Sequence, residues 1–396
     1  MALRIIPVSP IALPESSPEL RVPPSKAIEA SQMDYKTLAH DVFSSNGKTV
    51  LSGPRLFDLK GFLKGKFYID GIDVSRKIRA SEYSRHHRIH ILHSGRELSI
   101  SAFGHQWNLP INPDCNQIFA GKRVAFTLSK NNSLTWIRDW IIYYAVNHGV
   151  DGVLIYDNNS DAYTISEMTT ALSDIKGVEI VIVPWNFKYG HARRASGGLI
   201  TRFAFCQRGA WENAHFRFLS KAAWVIDPDI DELLVMKGTS IEKELASHRR
   251  SIGLSFETRN VKPITWSSDS QEKSFPDYFH FEKGERRGKP KWVLVPERIS
   301  RKNSWLRAFL PEVVWEHHRI QGLKKIHNSE SCYFAHFTHL TTGWKHSSRL
   351  IKQTYDPQKH VFDQSLMDHL LKAFPEKMKA AITQFQTAVQ IEPVRD

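Results

Sequence analysis

"VAFTLSKNNSLTWIRDWIIYYAVNHGVDGVLIYD", residues 124–157, begins and ends in apolar runs with a longer amphipathic stretch between them. The first run stops at Lys130-Asn131-Asn132. Trp136, Trp140, Ile141, Tyr144 and Ala145 then recur near helical spacing, and Gly149 is placed to cap the helix end. The second run stops at Asp157-Asn158-Asn159-Ser160-Asp161. Strand, helix, strand in this order predicts a parallel pair with a helical crossover. The rhythm continues outward. "TISEMTTALSDIKG" reads as a helix closed by Gly177, "VEIVIVPW" as a strand, about 200–216 as a helix and "AAWVID" as a fourth strand. This alternation predicts an α/β fold, an open, mostly parallel Rossmann-like sheet with helices on both faces. Ligands of such sheets bind beyond the carboxyl ends of the strands.

The chain has 396 residues, enough for two domains and a large core, and it is 41% hydrophobic and 24% charged. Residues 1–32, rich in Pro and Ser, read as an irregular leader. Short strands with tight turns mark 33–119 as a small β-rich domain, with "HSGRELSISAF" as a hairpin bending at Ser94-Gly95. The α/β domain is expected over 120–360 and a helical tail over 361–396. No apolar run reaches the ~18–20 residues that cross a bilayer, and prolines interrupt any secretion signal. Three cysteines without a CxxC pair fit a reducing compartment. The expected location is cytoplasmic, with peripheral contact to an anionic membrane left open. Lys and Arg number 54 against 41 acids, a net charge of +13. Polyanionic partners fit that balance. The charges are scattered and most aromatics fall in core-like runs, which argues against a nucleic-acid platform.

Against that basic background, Asp227, Asp229, Asp231 and Glu232 crowd into six positions after Ala222–Ile226. In extended backbone an Asp-x-Asp pair points both carboxylates the same way. Such a pair suits Mg²⁺ or Mn²⁺, whose remaining ligands are substrate phosphates. A solvated acidic turn is the plain alternative. The fold rule brings the three polar strand ends, at Lys130, Asp157 and Asp227, to one sheet edge.

The 124–157 block, extended to Thr164, resembles the opening of GT-A glycosyltransferases of the family 2 and family 92 type. "QRGAWENAHFRFLSKAAWVIDPDIDELLV" resembles their next block, with "DEL" where "DEF" is usual. "KPKWVLVPERI", "WEHH" and "AHFTHLTTGWK" are looser matches, so the resemblance spans roughly 120–350. It implies a metal-dependent, inverting transfer of a sugar from a nucleotide-sugar, a UDP-sugar first among them, to a hydroxyl of a glycan or glycolipid. Asp157 would contact the base or ribose, with Asn131 near it. Asp229 and Asp231 would hold Mn²⁺ or Mg²⁺. His336 would complete the metal site, with His339 as its rival.

Glu232 is a candidate for the metal waters or the sugar, or for a structural ion pair; Asp227 reads as structural. Gln207 and His215 are candidates for the sugar side, His317 and His318 for the acceptor side, and Asp269 for a weak general base. Arg193, Arg194 and Arg202 suit phosphates or a solvated face. "EKGERRGKPK", 282–291, reads as an exposed loop, or as a lid over the donor. The competing classes are a metal-dependent phosphodiesterase or nucleotidyltransferase, and a basic nucleic-acid-binding protein.

Overall fold

The computed structural model of the chain describes residues 2–22, 33–190, 205–264, 273–285, 287–301, 314–316, 319–321, 326–340 and 354–391. Its frame is a nine-stranded sheet. Strand β1 (Leu3–Ile5) is followed by β2 (Arg123–Ser129), α1 (Leu134–His148), β3 (Gly152–Asp157), α2 (Ile165–Leu172) and β4 (Glu179–Pro184). Next come α3 (Phe205–Asn213), β5 (Trp224–Ile226), β6 (Glu232–Val235), α4 (Ile241–Ser247), β7 (Gly253–Asn260), β8 (Lys291–Leu294) and β9 (His327–His336). The strand order is β1-β4-β3-β2-β5-β8-β7-β9-β6. The first five are mutually parallel. Strand β8 runs antiparallel between β5 and β7, β9 is parallel to β7, and β6 closes the sheet antiparallel to β9.

Period-two alternation explains why both faces are covered. Val153 and Ile155 of β3 join Trp140, Tyr143 and Tyr144 of α1 and Met168 of α2 in one core layer. Leu154 and Tyr156, from the same strand, face Trp211 and Phe218 in the other. Helix α1 starts at Ser133, whose hydroxyl accepts the Thr135 N–H at 3.2 Å, and stops at Gly149, whose φ of +63° suits glycine. Helices α5 (Gln364–Ala373) and α6 (Pro375–Ile391) bury Leu366, Leu370 and Met378 in the α1 core layer. Lys377 Nζ lies 2.8 Å from the buried Asp139 of α1. The expected C-terminal tail is thus packed into the α/β domain.

Two local readings are revised. The leader begins with a strand: Leu3 and Ile5 pair with Ile180 and Ile182, so β1 covers the open edge of β4. "HSGRELSISAF" is not a hairpin. The strands on either side of Ser94-Gly95, His86–Ile91 and Glu97–Ala102, belong to two different four-stranded sheets of the N-terminal domain. The hairpin lies one strand later, where Glu97–Ala102 pairs with His105–Pro110. Phe103 and Gly104, with φ of 51° and 72°, make its two-residue turn. This domain seats on α3. Arg88 and His86 meet the buried Glu212, the latter at 3.2 Å, and Arg217 meets the buried Asp41 at 2.8 Å.

Candidate functional site

Strand β2 has β3 on one side and β5 on the other, so the chain's winding reverses there and leaves a crevice at the carboxyl ends. The three polar strand ends open on this edge, as the alternating pattern required. On the β3 side, Asp157 is buried, and Ser160 anchors both its oxygens. The Ser160 hydroxyl donates to Oδ1 at 2.6 Å and its N–H to Oδ2 at 3.1 Å. Each oxygen keeps a second lone pair for a ligand donor. Asn131 sits in the left-handed region, φ +55°, and ties the two loops together. Its side-chain amide donates to Asp161 at 2.7 Å, and its carbonyl oxygen accepts the Asp161 N–H at 2.8 Å. A cleft of about 400 Å³ adjoins these loops, lined by Asp157, Asn159, Ser160, Tyr163, Pro184 and Asn186 among others.

On the β5 side the acids occupy a turn, not the extended strand expected for an Asp-x-Asp pair. Glu232 N–H donates to the Asp229 carbonyl at 3.0 Å. Helix α1 holds this turn with polar tips on one face. Trp140 Nε1–H donates to the Asp229 carbonyl at 3.1 Å, Tyr143 to the Leu234 carbonyl at 2.8 Å and Tyr144 to the Glu232 carbonyl at 3.0 Å. Positions 140, 143 and 144 share a helix face by spacing. Trp140 and Tyr144, which mark the helix face in the sequence, therefore also build the acidic turn, and Tyr143 joins them.

Because the turn is not extended, the two aspartates look in different directions. Asp229 Oδ2 meets Lys291 Nζ at 3.1 Å, and Glu232 meets the same ammonium at 2.9 Å. Glu232 also accepts the Asp229 N–H at 3.0 Å, and only 3% of it is exposed. Burial alone would depress the Lys291 ammonium; Asp229, Glu232 and Asp227 outweigh burial and hold it above its ordinary range. Asp231 Oδ2 faces His336 Nε2 at 3.2 Å, and His336 Nδ1 faces Asn260 Oδ1 at 3.1 Å. The backbone enforces this meeting, since Glu232 is paired with His336 across β6 and β9.

Asp231 and His336 fit a divalent ion. Two adjacent ligands on an octahedral ion with bonds of about 2.1–2.2 Å lie about 3 Å apart, close to their 3.2 Å separation. His339 does not approach the acids through any such contact. It packs on Tyr278, ring centroids 3.7 Å apart, and burial pushes it down to about 3. A second ligand-capable group, Glu244, His248 and His327, lies at the other end of β9. Its imidazoles stack at 3.5 Å and 15°, so their in-plane lone pairs run side by side and do not converge.

Of the other candidates, Gln207 accepts from the Tyr189 hydroxyl at 3.3 Å. His215 lies beside the Arg88–Glu212 pair of the N-terminal contact and is pushed by burial to about 3. Arg193, Arg194, Arg202, Asp269, His317 and His318 fall outside the described residues. Lys291 was missed as a site residue. It lies inside the segment read as an exposed loop or lid, yet it starts β8 and is fully buried. The only local signal is its position at the head of the apolar run "KWVL". Asn260, at the end of β7, carried no signal beyond being polar at a strand terminus.

A reversal-point crevice, with a buried aspartate beside a cleft on one side and an acid–imidazole pair on the other, defines the framework of a GT-A glycosyltransferase. The model of glycosyltransferase family 92 matches residues 128–392, and the chain belongs to that family. No curated protein sequence matches it. Similar solved structures include the apo bifunctional glycosyltransferase WbbM, at 12% identity and TM-score 0.28, covering 53% of this chain and 37% of WbbM. Residues 1–349 of S. aureus TarS in complex with UDP share 10% identity at TM-score 0.31, covering 68% of this chain and 70% of that one. HddC from Yersinia pseudotuberculosis shares 14% identity at TM-score 0.29, covering 54% and 93%. With likeness this distant, the family match carries the assignment: the protein is a glycosyltransferase. Among the described residues no helix is long and apolar enough to cross a membrane.

Proposed function

We propose that this glycosyltransferase moves a sugar from a nucleoside-diphosphate sugar, a UDP-sugar first among them, to a hydroxyl of a glycan or glycolipid, with inversion. The observation that supports it best is the Asp231–His336 pair, 3.2 Å apart at the ligand edge of the sheet. Asp157 accepts from the base or ribose, and Asn131 holds its loop in place. Asp231 and His336 hold the ion, with Asp229 beside them. Lys291 and Glu232 set the turn that presents both aspartates. A bound Mn²⁺ or Mg²⁺ supplies Lewis-acid stabilisation of the departing diphosphate. A mixed nitrogen–oxygen donor pair favours Mn²⁺ over Mg²⁺, which prefers an all-oxygen shell. The three cysteines are buried free thiols, which agrees with a cytoplasmic protein. The net charge of +13 suits peripheral contact with an anionic membrane.

The test is a panel of nucleotide-sugars with Mn²⁺, read as the nucleoside diphosphate released, for the wild type and for Asp231→Asn and His336→Ala. One donor should be turned over with metal dependence, and both variants should lose that turnover. Metal-independent release, unchanged in both variants, would refute the proposal.

A further inference from the structure

We infer that Glu285 is a positioning residue for the metal-facing histidine: acting through Asn260, it favours the His336 tautomer whose Nε2 lone pair is open to an ion beside Asp231. This rests on the proposed role of Asp231 and His336 as ion ligands.

The contacts form a chain. Asn260 Oδ1 lies 3.1 Å from His336 Nδ1, and Asn260 Nδ2 donates to Glu285 Oε1 at 3.1 Å. Lys262 Nζ holds the same Glu285 oxygen at 3.0 Å and reaches Glu282 at 2.7 Å. A carboxylate only accepts, so Glu285 takes the NH₂ end of the Asn260 amide and turns the carbonyl end to the imidazole. A carbonyl oxygen also only accepts. Asn260 therefore draws the ring hydrogen to Nδ1, while the Asp231 carboxylate, 3.2 Å from Nε2, draws it the other way; an ion between Asp231 and Nε2 removes that second pull and leaves Nδ1–H. Without Glu285 the amide is free to reverse. Its NH₂ would then face Nδ1 and favour the opposite tautomer, with a hydrogen on Nε2 where the ion would sit. Outer partners of metal-bound histidines act in this way, by fixing tautomer and ring orientation.

Glu285 belongs to the charged segment that the sequence presents as a solvent loop or lid. The segment is held against β7. Gly288 N–H donates to the Thr258 carbonyl at 2.8 Å, and a Cβ on Gly288 would meet Thr258 Oγ1 at 2.2 Å. Arg287 pairs with Glu257 at 3.0 Å. A surface loop thereby reaches the ion site through two hydrogen bonds, with Glu285 itself only partly buried. Truncating it is compatible with folding.

Two measurements on the full chain test this. The first is Mn²⁺ affinity by electron paramagnetic resonance titration for wild type, Glu285→Leu, Glu285→Gln and His336→Ala. Loss of an outer partner typically weakens metal binding about 10- to 100-fold. Glu285→Leu should fall in that range, and Glu285→Gln, whose carbonyl still accepts from Asn260, should stay near wild type. The second is the His336 tautomer in metal-free protein by ¹⁵N NMR, assigned with His336→Gln. The Nδ1–H fraction should be larger in wild type and Glu285→Gln, where Asn260 and Asp231 compete for the ring hydrogen, than in Glu285→Leu, where Asp231 alone accepts it. If His336→Ala leaves Mn²⁺ affinity unchanged, the ion reading fails, and the tautomer result still decides whether the relay operates. If His336→Ala weakens Mn²⁺ while Glu285→Leu changes neither affinity nor tautomer, the relay is overturned and the ion reading stands.

Discussion

Replacing Lys291 with methionine removes a buried ammonium and keeps most of its volume. In the native protein that ammonium is fully buried and meets Glu232, itself 3% exposed, at 2.9 Å. Its other contact, Asp229, has a side chain 40% exposed, so water can take over there and that pair counts for little. The loss is therefore dominated by Glu232 left buried without its counter-charge. Breaking such a pair costs about 3–5 kcal/mol. With an unfolding entropy of about 2.1 cal/mol/K per residue over the chain, the corresponding fall in Tm is about 4–6 °C. Thermal unfolding followed by circular dichroism measures it. The double variant Lys291→Met/Glu232→Gln removes both charges and should recover at least half of the loss. Glycosyl transfer should drop in the single variant, because Asp229 and Glu232 lose the cation that sets their turn. A Tm shift under about 1 °C, within the range of an ordinary surface substitution, would show that the buried ammonium does not hold the acidic turn.

Three further outcomes are expected. Asp231→Asn should lower turnover by about 10²-fold or more, since leaving-group stabilisation acts in the transition state; Asp227→Asn should cost far less, and equal losses would contradict the separate roles. Acid should loosen the N-terminal domain and, through His40, its contact with α3. Burial holds His87 down from 6.5 to about 4, so the unfolded chain binds more protons, and stability present above 6.5 is lost as pH falls toward 4. His87 alone contributes up to about 3 kcal/mol to that loss, with His40, held at about 3, adding to it. Urea midpoints at pH 7.5, 6 and 5 should fall in that order, and a flat series would contradict the neutral buried imidazoles. Gly209→Ala should destabilise the same contact by about 1–3 kcal/mol through overpacking: the added Cβ would stand 2.2 Å from His40 Nδ1. An unchanged Tm would mean that the two domains are not packed as described.

The sheet of this protein is legible in the chain because its signals are local. Apolar runs of six or seven residues, helical spacing of Trp136, Trp140 and Tyr144, and Gly149 after the last turn all act within one element. With the family resemblance added, they point to parallel strands and to polar termini at one edge. The candidate site is only half legible for the same reason. Asp229 and Asp231 are conspicuous as neighbours in sequence, but their partners are remote. Lys291 lies 62 positions from Asp229, and His336 lies 105 from Asp231. No periodicity links such positions. They meet because β6 pairs with β9 and β8 lies between β5 and β7. Strand β1 shows the same limit. "LRI" has no strand character beyond three residues, and its pairing exists only because β4 offers an open edge. Local pattern determined which segments would be strands and helices. Long-range pairing decided that Asp229 would meet a buried lysine and Asp231 a histidine, because neighbours across a sheet are chosen by hydrogen-bonded register and burial, not by distance along the chain.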